Sequence, residues 1–235
     1  MRKFVAILFC VMAMAPLANA GIVTYTINFS DNYSGTFDIS QVLSVPQFNA
    51  SLGALQSVKV DFGVSADGWI GIENTNPNNG ITNRKAYTYT YYLPPTDPEY
   101  DTTHGNLKLS LGASDLASVD WNVANTYTLN LSVFDGTVDY AGTSGFLTVY
   151  LAEADSGSVL YNSGLEPYIG SGTVNFDLVG SAWFVGIFPS GNVNSEVSTL
   201  GAGNVTVTYE YVPEPATVCL LGLGVLSLIR RKHRA

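Results

Sequence analysis

In Gln56-Ser57-Val58-Lys59-Val60-Asp61-Phe62-Gly63-Val64, apolar Val58, Val60 and Phe62 alternate with charged Lys59 and Asp61. Successive side chains of a strand point to opposite faces, so Val58, Val60 and Phe62 line one face and Lys59 and Asp61 the other. The same period of two recurs on both sides of this stretch. Upstream lie Ile22 to Phe29, a β-branched and aromatic run, and Gly35 to Ile39. Downstream lie Lys85 to Tyr92, Leu107 to Leu111, Tyr127 to Val133, Phe146 to Leu151, Val159 to Tyr161, Val174 to Val179, Ala182 to Ile187 and Val205 to Tyr211. Turn pairs at Asp67-Gly68, Asn79-Gly80, Asp135-Gly136 and Ser163-Gly164 punctuate them. Ser40 to Leu55 is less regular and reads as a loop or a single helical turn. No segment keeps a helical period over 12 or more residues. The expectation is an all-β chain, an antiparallel β-sandwich that is jelly-roll-like. An outer-membrane barrel fits less well, because its last strand would close the chain, whereas here an apolar run and a basic tail follow.

The composition agrees. Of 235 residues, 12% are charged and 46% hydrophobic, and 14 Tyr with 11 Phe can fill a core. The formal net charge is −9. Between residues 21 and 212, Lys59, Arg84, Lys85 and Lys108 face 18 carboxylates, which gives −14. A phosphate-binding face needs clustered Lys and Arg, so no nucleic-acid partner is expected. Cys10 and Cys219 are the only cysteines. Both lie outside 21–212, so that segment folds without a disulfide.

The two ends read as processing signals. Arg2 and Lys3 precede an apolar stretch from Phe4 to Met14, and Ala18-Asn19-Ala20 forms a small-residue cleavage site. Residues 1–20 are therefore expected to be a signal peptide, engaging the secretion translocon and signal peptidase, and 21–212 an extracytoplasmic domain. Residues 213–235 contain Pro213-Glu214-Pro215, an apolar run 216–229, and Arg230, Arg231, Lys232 and Arg234. The prolines leave the motif extended and accessible. A 14-residue helix spans about 21 Å, short of a roughly 30 Å hydrocarbon core. Snorkelling arginines reduce that deficit. The basic cluster sets orientation by staying cytoplasmic. The reading is a short transmembrane helix that anchors the exported chain transiently in the inner membrane.

The tail resembles a PEP-CTERM sorting signal. Pro213-Glu214-Pro215, the following Ala216-Thr217, Leu220-Leu221-Gly222-Leu223-Gly224 and the terminal Arg-Arg carry the resemblance. It implies recognition by an exosortase, a membrane-embedded cysteine protease of Gram-negative bacteria, and transfer to the cell surface or the exopolysaccharide matrix. Residues 33–64 are similar to a choice-of-anchor E type domain, through Val45-Pro46-Gln47-Phe48-Asn49, Leu52-Gly53-Ala54-Leu55 and Val58-Lys59-Val60. That family implies no catalytic residues.

No constellation for catalysis emerges. His104 is the only histidine of 21–212, which leaves neither an HExxH zinc site nor a serine triad. Scattered carboxylates give no pair a distinct claim to glycosidase chemistry. No enzyme activity and no cofactor are expected. Asp97, Glu99 and Asp101 alternate in a Pro-rich loop, and hard oxygen ligands of this kind suit Ca²⁺, so they are the candidate metal ligands. Asp135, Asp139, Glu153 and Asp155 read as turn and surface residues. Trp69, Trp121 and Trp183, with the ladder Tyr87, Tyr89, Tyr91, could stack on sugar rings, or the ladder could pack against a second sheet. Trp183 reads as core. The function expected is an exported surface or exopolysaccharide-matrix protein with a structural or adhesive role. The alternative is a carbohydrate-binding module acting in that matrix.

Overall fold

The structure, a computed structural model, is described over residues 20–34, 36–91, 105–189 and 191–214. Ten strands account for most of these: β1 Gly21–Ser34, β2 Thr36–Pro46, β3 Gly53–Asn74, β4 Ile81–Tyr91, β5 Gly105–Leu111, β6 Ser114–Trp121, β7 Ala124–Leu131, β8 Gly145–Tyr161, β9 Thr173–Ile187 and β10 Val193–Pro213. Two single 3-10 turns, Ala50–Leu52 and Glu166–Tyr168, are the helical segments among the described residues.

The chain is all-β and its strands pair antiparallel in two sheets. The first sheet has the order β1-β10-β3-β8. The second has the order β6-β5-β9-β4-β7, with β2 also paired to β9. The chain thus leaves the first sheet after β1, returns for β3, builds β4 to β7 in the second, and alternates again through β8, β9 and β10. β9 serves three partners: β2 along 173–183, β5 along 177–181 and β4 along 183–187.

The inner faces share one core. Val58, Val60, Phe62, Val64, Val205, Val207 and Tyr209 are buried from the first sheet, and Ile39, Leu43, Leu107, Leu109, Leu129, Phe176 and Leu178 from the second. Each such aliphatic side chain contributes about 1.5–3 kcal/mol on burial. A Cβ on Gly203 would come 2.9 Å from the Leu178 methyl, so the two sheets touch at β10 and β9. Polar ties cross between them as well. The Tyr209 hydroxyl donates to the Pro46 carbonyl at 2.9 Å, and the Ser118 amide to an Asp155 carboxylate oxygen at 3.1 Å.

Three local readings differ from the sequence expectation. Asp67-Gly68 makes no turn: β3 runs through it with only a register shift between Gly68 and Trp69. Glycine is required there because the Tyr150 ring lies where a Cβ would stand, 2.4 Å away. Phe146 to Leu151 and Val159 to Tyr161 are two parts of one strand, β8, at the sheet edge. Residues 152–158 between them are exposed on both faces, which erases the alternation. The irregular segment from Ser40 is also strand as far as Pro46, and the single helical turn falls at Ala50–Leu52.

Candidate functional site

Two ends of the first sheet carry the features of interest. At one end, β10 runs directly into the Pro-Glu-Pro motif. Pro213 is its last residue, registered opposite Gly53 of β3. Gly53 has φ +143°, and a Cβ there would meet the Val212 carbonyl oxygen at 2.1 Å. Glycine is therefore needed for the backbones to close over the start of the motif. Glu214 follows, exposed. Gly21 of β1 is registered opposite Tyr211, so Ala20, also exposed, emerges beside the motif. Ala18, Pro215, Arg230, Arg231, Lys232, Arg234 and the apolar run 216–229 lie outside the described residues.

At the other end, where β10 begins, residues of the β3–β4 connection together with Pro189, Gly191, Asn192 and Val193 line an open polar cavity of about 310 Å³. Asn74, Asn76, Asn79, Thr82, Arg84 and Asn192 line it. The amides are braced. Asn74 donates through Nδ2 to the carbonyls of Asn79 (2.8 Å) and Ser132 (2.6 Å), and its Oδ1 accepts from the Asn76 amide (3.1 Å). Asn76 Oδ1 accepts from the amides of Asn78 and Asn79. Arg84 follows a bulge: Ile81 pairs with Leu131 and Arg84 with Leu129, so two β4 residues stand against the single Asn130. Asn83 takes the left-handed φ of 52° there, and its amide donates to Asn130 Oδ1 at 2.9 Å. Opposed residues share a face, so Arg84 has the same register as buried Leu129, Ala86 and Thr88. Arg84 itself is exposed at the strand end, where it lines the cavity.

The remaining cations of the described domain are occupied. Lys59 pairs with Asp61 at 2.7 Å, which holds the Asp61 carboxyl below its usual range. Lys108 pairs with Asp115 at 3.2 Å, and Lys85 donates to Thr128. Among the described residues Arg84 has no carboxylate partner.

The other candidates are dispersed. Asp97, Glu99, Asp101 and His104 lie outside the described residues, and no group of three metal-ligating side chains occurs among those described. Asp135 and Asp139 accept from the amides of Thr137 and Ala141, closing their own turns. Tyr87 is half-buried on the face opposite Ala86 and Thr88, so it does not point into the core. The side chains of Tyr89, Tyr91 and Trp183 lie outside the description. Trp121 is buried, and Trp69 is half-buried beneath Tyr140, with centroids 6.1 Å apart. Neither tryptophan forms an open stacking face.

Sequence reasoning passed over Glu73 and Arg84. Glu73 has no exposed surface and neither carboxylate oxygen is hydrogen-bonded. It shares the outer face of β3 with Gly71, where the Tyr140 ring sits 2.6 Å from a would-be Cβ. Burial raises the Tyr140 pKa, and the carboxylates of Glu196 and Glu73 raise it further.

Residues 212–234 match the family model of the PEP-CTERM protein-sorting motif. The tail is similar to a PEP-CTERM motif. The match covers 23 of the 235 residues. No curated protein matches the chain. Among solved structures, the chain is similar to one from infectious bursal disease virus Gx strain, at 13% identity and a TM-score of 0.12, over 85% of this chain and 44% of that one. It is also similar to the 60-mer BFDV capsid protein, at 14% identity and a TM-score of 0.16, over 82% and 96%. The chain spans less than half the length of the Gx and Gt strain chains it matches. Likenesses this distant bear on neither fold nor function.

Proposed function

We propose that the chain is a non-enzymatic surface or matrix protein, whose two-sheet domain is delivered by exosortase sorting and then acts structurally or adhesively in the exopolysaccharide. The carrying observation is the PEP-CTERM match on a tail that continues β10 without a linker. In this reading residues 1–20 are removed on export through the translocon. The 216–229 helix holds the chain in the inner membrane, and Arg230, Arg231, Lys232 and Arg234 keep its end cytoplasmic. The exosortase then processes the chain at or near Pro213-Glu214-Pro215.

The order β1-β10-β3-β8 facing β2-β9-β5-β6 supports a jelly-roll sandwich, with β4 and β7 as an added pair. The choice-of-anchor E resemblance draws support from the work its residues do. Phe48 is buried against Tyr209 and Tyr211, Asn49 caps the 3-10 turn, and Gly53 closes on Val212. These are packing roles, as a domain family without catalytic residues would have. The alternative of a carbohydrate-binding module is favoured by the amide-lined cavity rather than by exposed aromatics.

The test is the intact mass of the protein from its native surface or medium, with and without the exosortase. Loss of residues 1–20 and of the chain beyond the motif, the latter only with the exosortase, is the expected result. A mature chain that keeps Arg230 to Ala235 in both strains would overturn the sorting reading.

A further inference from the structure

We propose that the cavity at the start of β10 binds a uronate unit of an acidic polysaccharide, with Arg84 receiving the sugar carboxylate. The choice of a polysaccharide rests on the proposed delivery to the matrix. The site and its charge preference rest on the cavity itself.

Three observations converge. The first is the lining. Asn79, Asn192 and Thr82 present donors and acceptors around about 310 Å³, and Ile81, Pro189 and Val193 add apolar surface. Sugar hydroxyls need paired donors and acceptors, which side-chain amides supply, and sugar C–H faces need apolar contact. The second is rigidity. Asn74 and Asn76 spend their side chains on fixing the loop, so the lining is set before a ligand arrives.

The third observation is Arg84. Residues 21–212 hold eighteen carboxylates and four basic residues, and three of those four are engaged. Lys59 and Lys108 pair with carboxylates and Lys85 with the Thr128 hydroxyl, so among the described residues Arg84 is the basic side chain of 21–212 left without a partner. It follows the bulge at Asn83 and lines the cavity from the exposed end of the strand. A bulge that re-aims a side chain is a recurrent device beside binding sites. A guanidinium offers two parallel donors that fit a carboxylate. A neutral glycan would be served by the amides and would leave the arginine unused. The domain's net −14 repels polyanions in general, so only one that reaches this cation is held.

The experiment is calorimetric titration of the full chain in detergent with a mannuronate tetramer, at physiological ionic strength. A neutral glucose tetramer and inorganic phosphate serve as comparators. The expected result is saturable binding of the uronate tetramer, weaker or absent binding of both comparators, and about tenfold or greater loss in Arg84→Gln. Among the described residues Arg84 has no partner to lose, so R84Q should keep its fold, checked by its circular dichroism and thermal midpoint. Asn192→Ala should weaken binding with the charge intact. The proposal is overturned if the uronate fails to bind the wild type, if R84Q binds it equally, or if the neutral tetramer binds as well. Phosphate binding equal to uronate binding would reduce the site to a bare anion contact and also overturn it. None of these outcomes affects the mass test of sorting.

Discussion

Glu73 is buried among outer-face residues of β3 under the Tyr140 loop, with no donor for either oxygen. An unpaired buried polar group costs stability. Glu73→Met keeps the volume and removes the polar atoms, so it should stabilise the domain by about 1–3 kcal/mol in urea unfolding. A less stable variant would mean that the carboxylate has a cationic or donor partner. Tyr209 gives a second prediction. Burial pushes its hydroxyl up to about 12, from an ordinary value of 10.0, and pushes Tyr150 and Tyr168 higher still. The unfolded chain releases these protons first, so it binds fewer protons than the folded one above pH 10. Stability is therefore complete below about pH 10 and falls as pH rises toward 12. Tyr209→Phe should flatten part of that decline, while costing about 1 kcal/mol at neutral pH through the lost bond to Pro46. A pH–stability profile of both proteins checks this. Neither residue was conspicuous in the sequence, because burial is decided by what the fold lays over a side chain. Glu73 looks there like any of the 18 carboxylates of residues 21–212, and Arg84 like any of the four cations of that segment.

At the scale of elements, alternation was the legible part and continuity was not. Val58, Val60 and Phe62 announce one buried face wherever β3 goes. Whether β3 stops at Gly68 depends on distant partners. β10 holds it on one side and β8 on the other, and local turn chemistry yields to those ladders. The sequence also shows a glycine at 53 without showing that Val212 closes over it. Gly53→Ala should cost about 1–3 kcal/mol, because φ +143° and the Val212 carbonyl both exclude a Cβ. The strain is local, so hydrogen exchange at the Val212 amide should quicken while amides at Val205 and Val207 stay protected. Uniform acceleration would mean that this end of β10 is essential to the whole sheet.

Across the whole molecule, the tail was the most legible feature, since an ordered motif in the chain needs no tertiary partner to be read. The cavity was the least legible, because Asn74 to Arg84 meet Pro189 and Gly191 to Val193 only through the folded sheets. The first sheet depends on its last-made strand. β10 lies between β1 and β3, so a chain ending before Val193 leaves both without their shared partner. Such a truncation should lose protease resistance altogether, and a protected core in it would show that β3 and β8 suffice. β10 also joins the two ends of interest, from Val193 at the cavity to Pro213 at the motif, about 66 Å at roughly 3.3 Å per residue. In a chain tethered at one end of that strand and gripping a polymer at the other, tension runs along the strand axis. The ladders to β1 and β3 are then sheared together instead of being peeled one bond at a time. A domain pulled through these two points should resist far more force than the same domain pulled across its sheets.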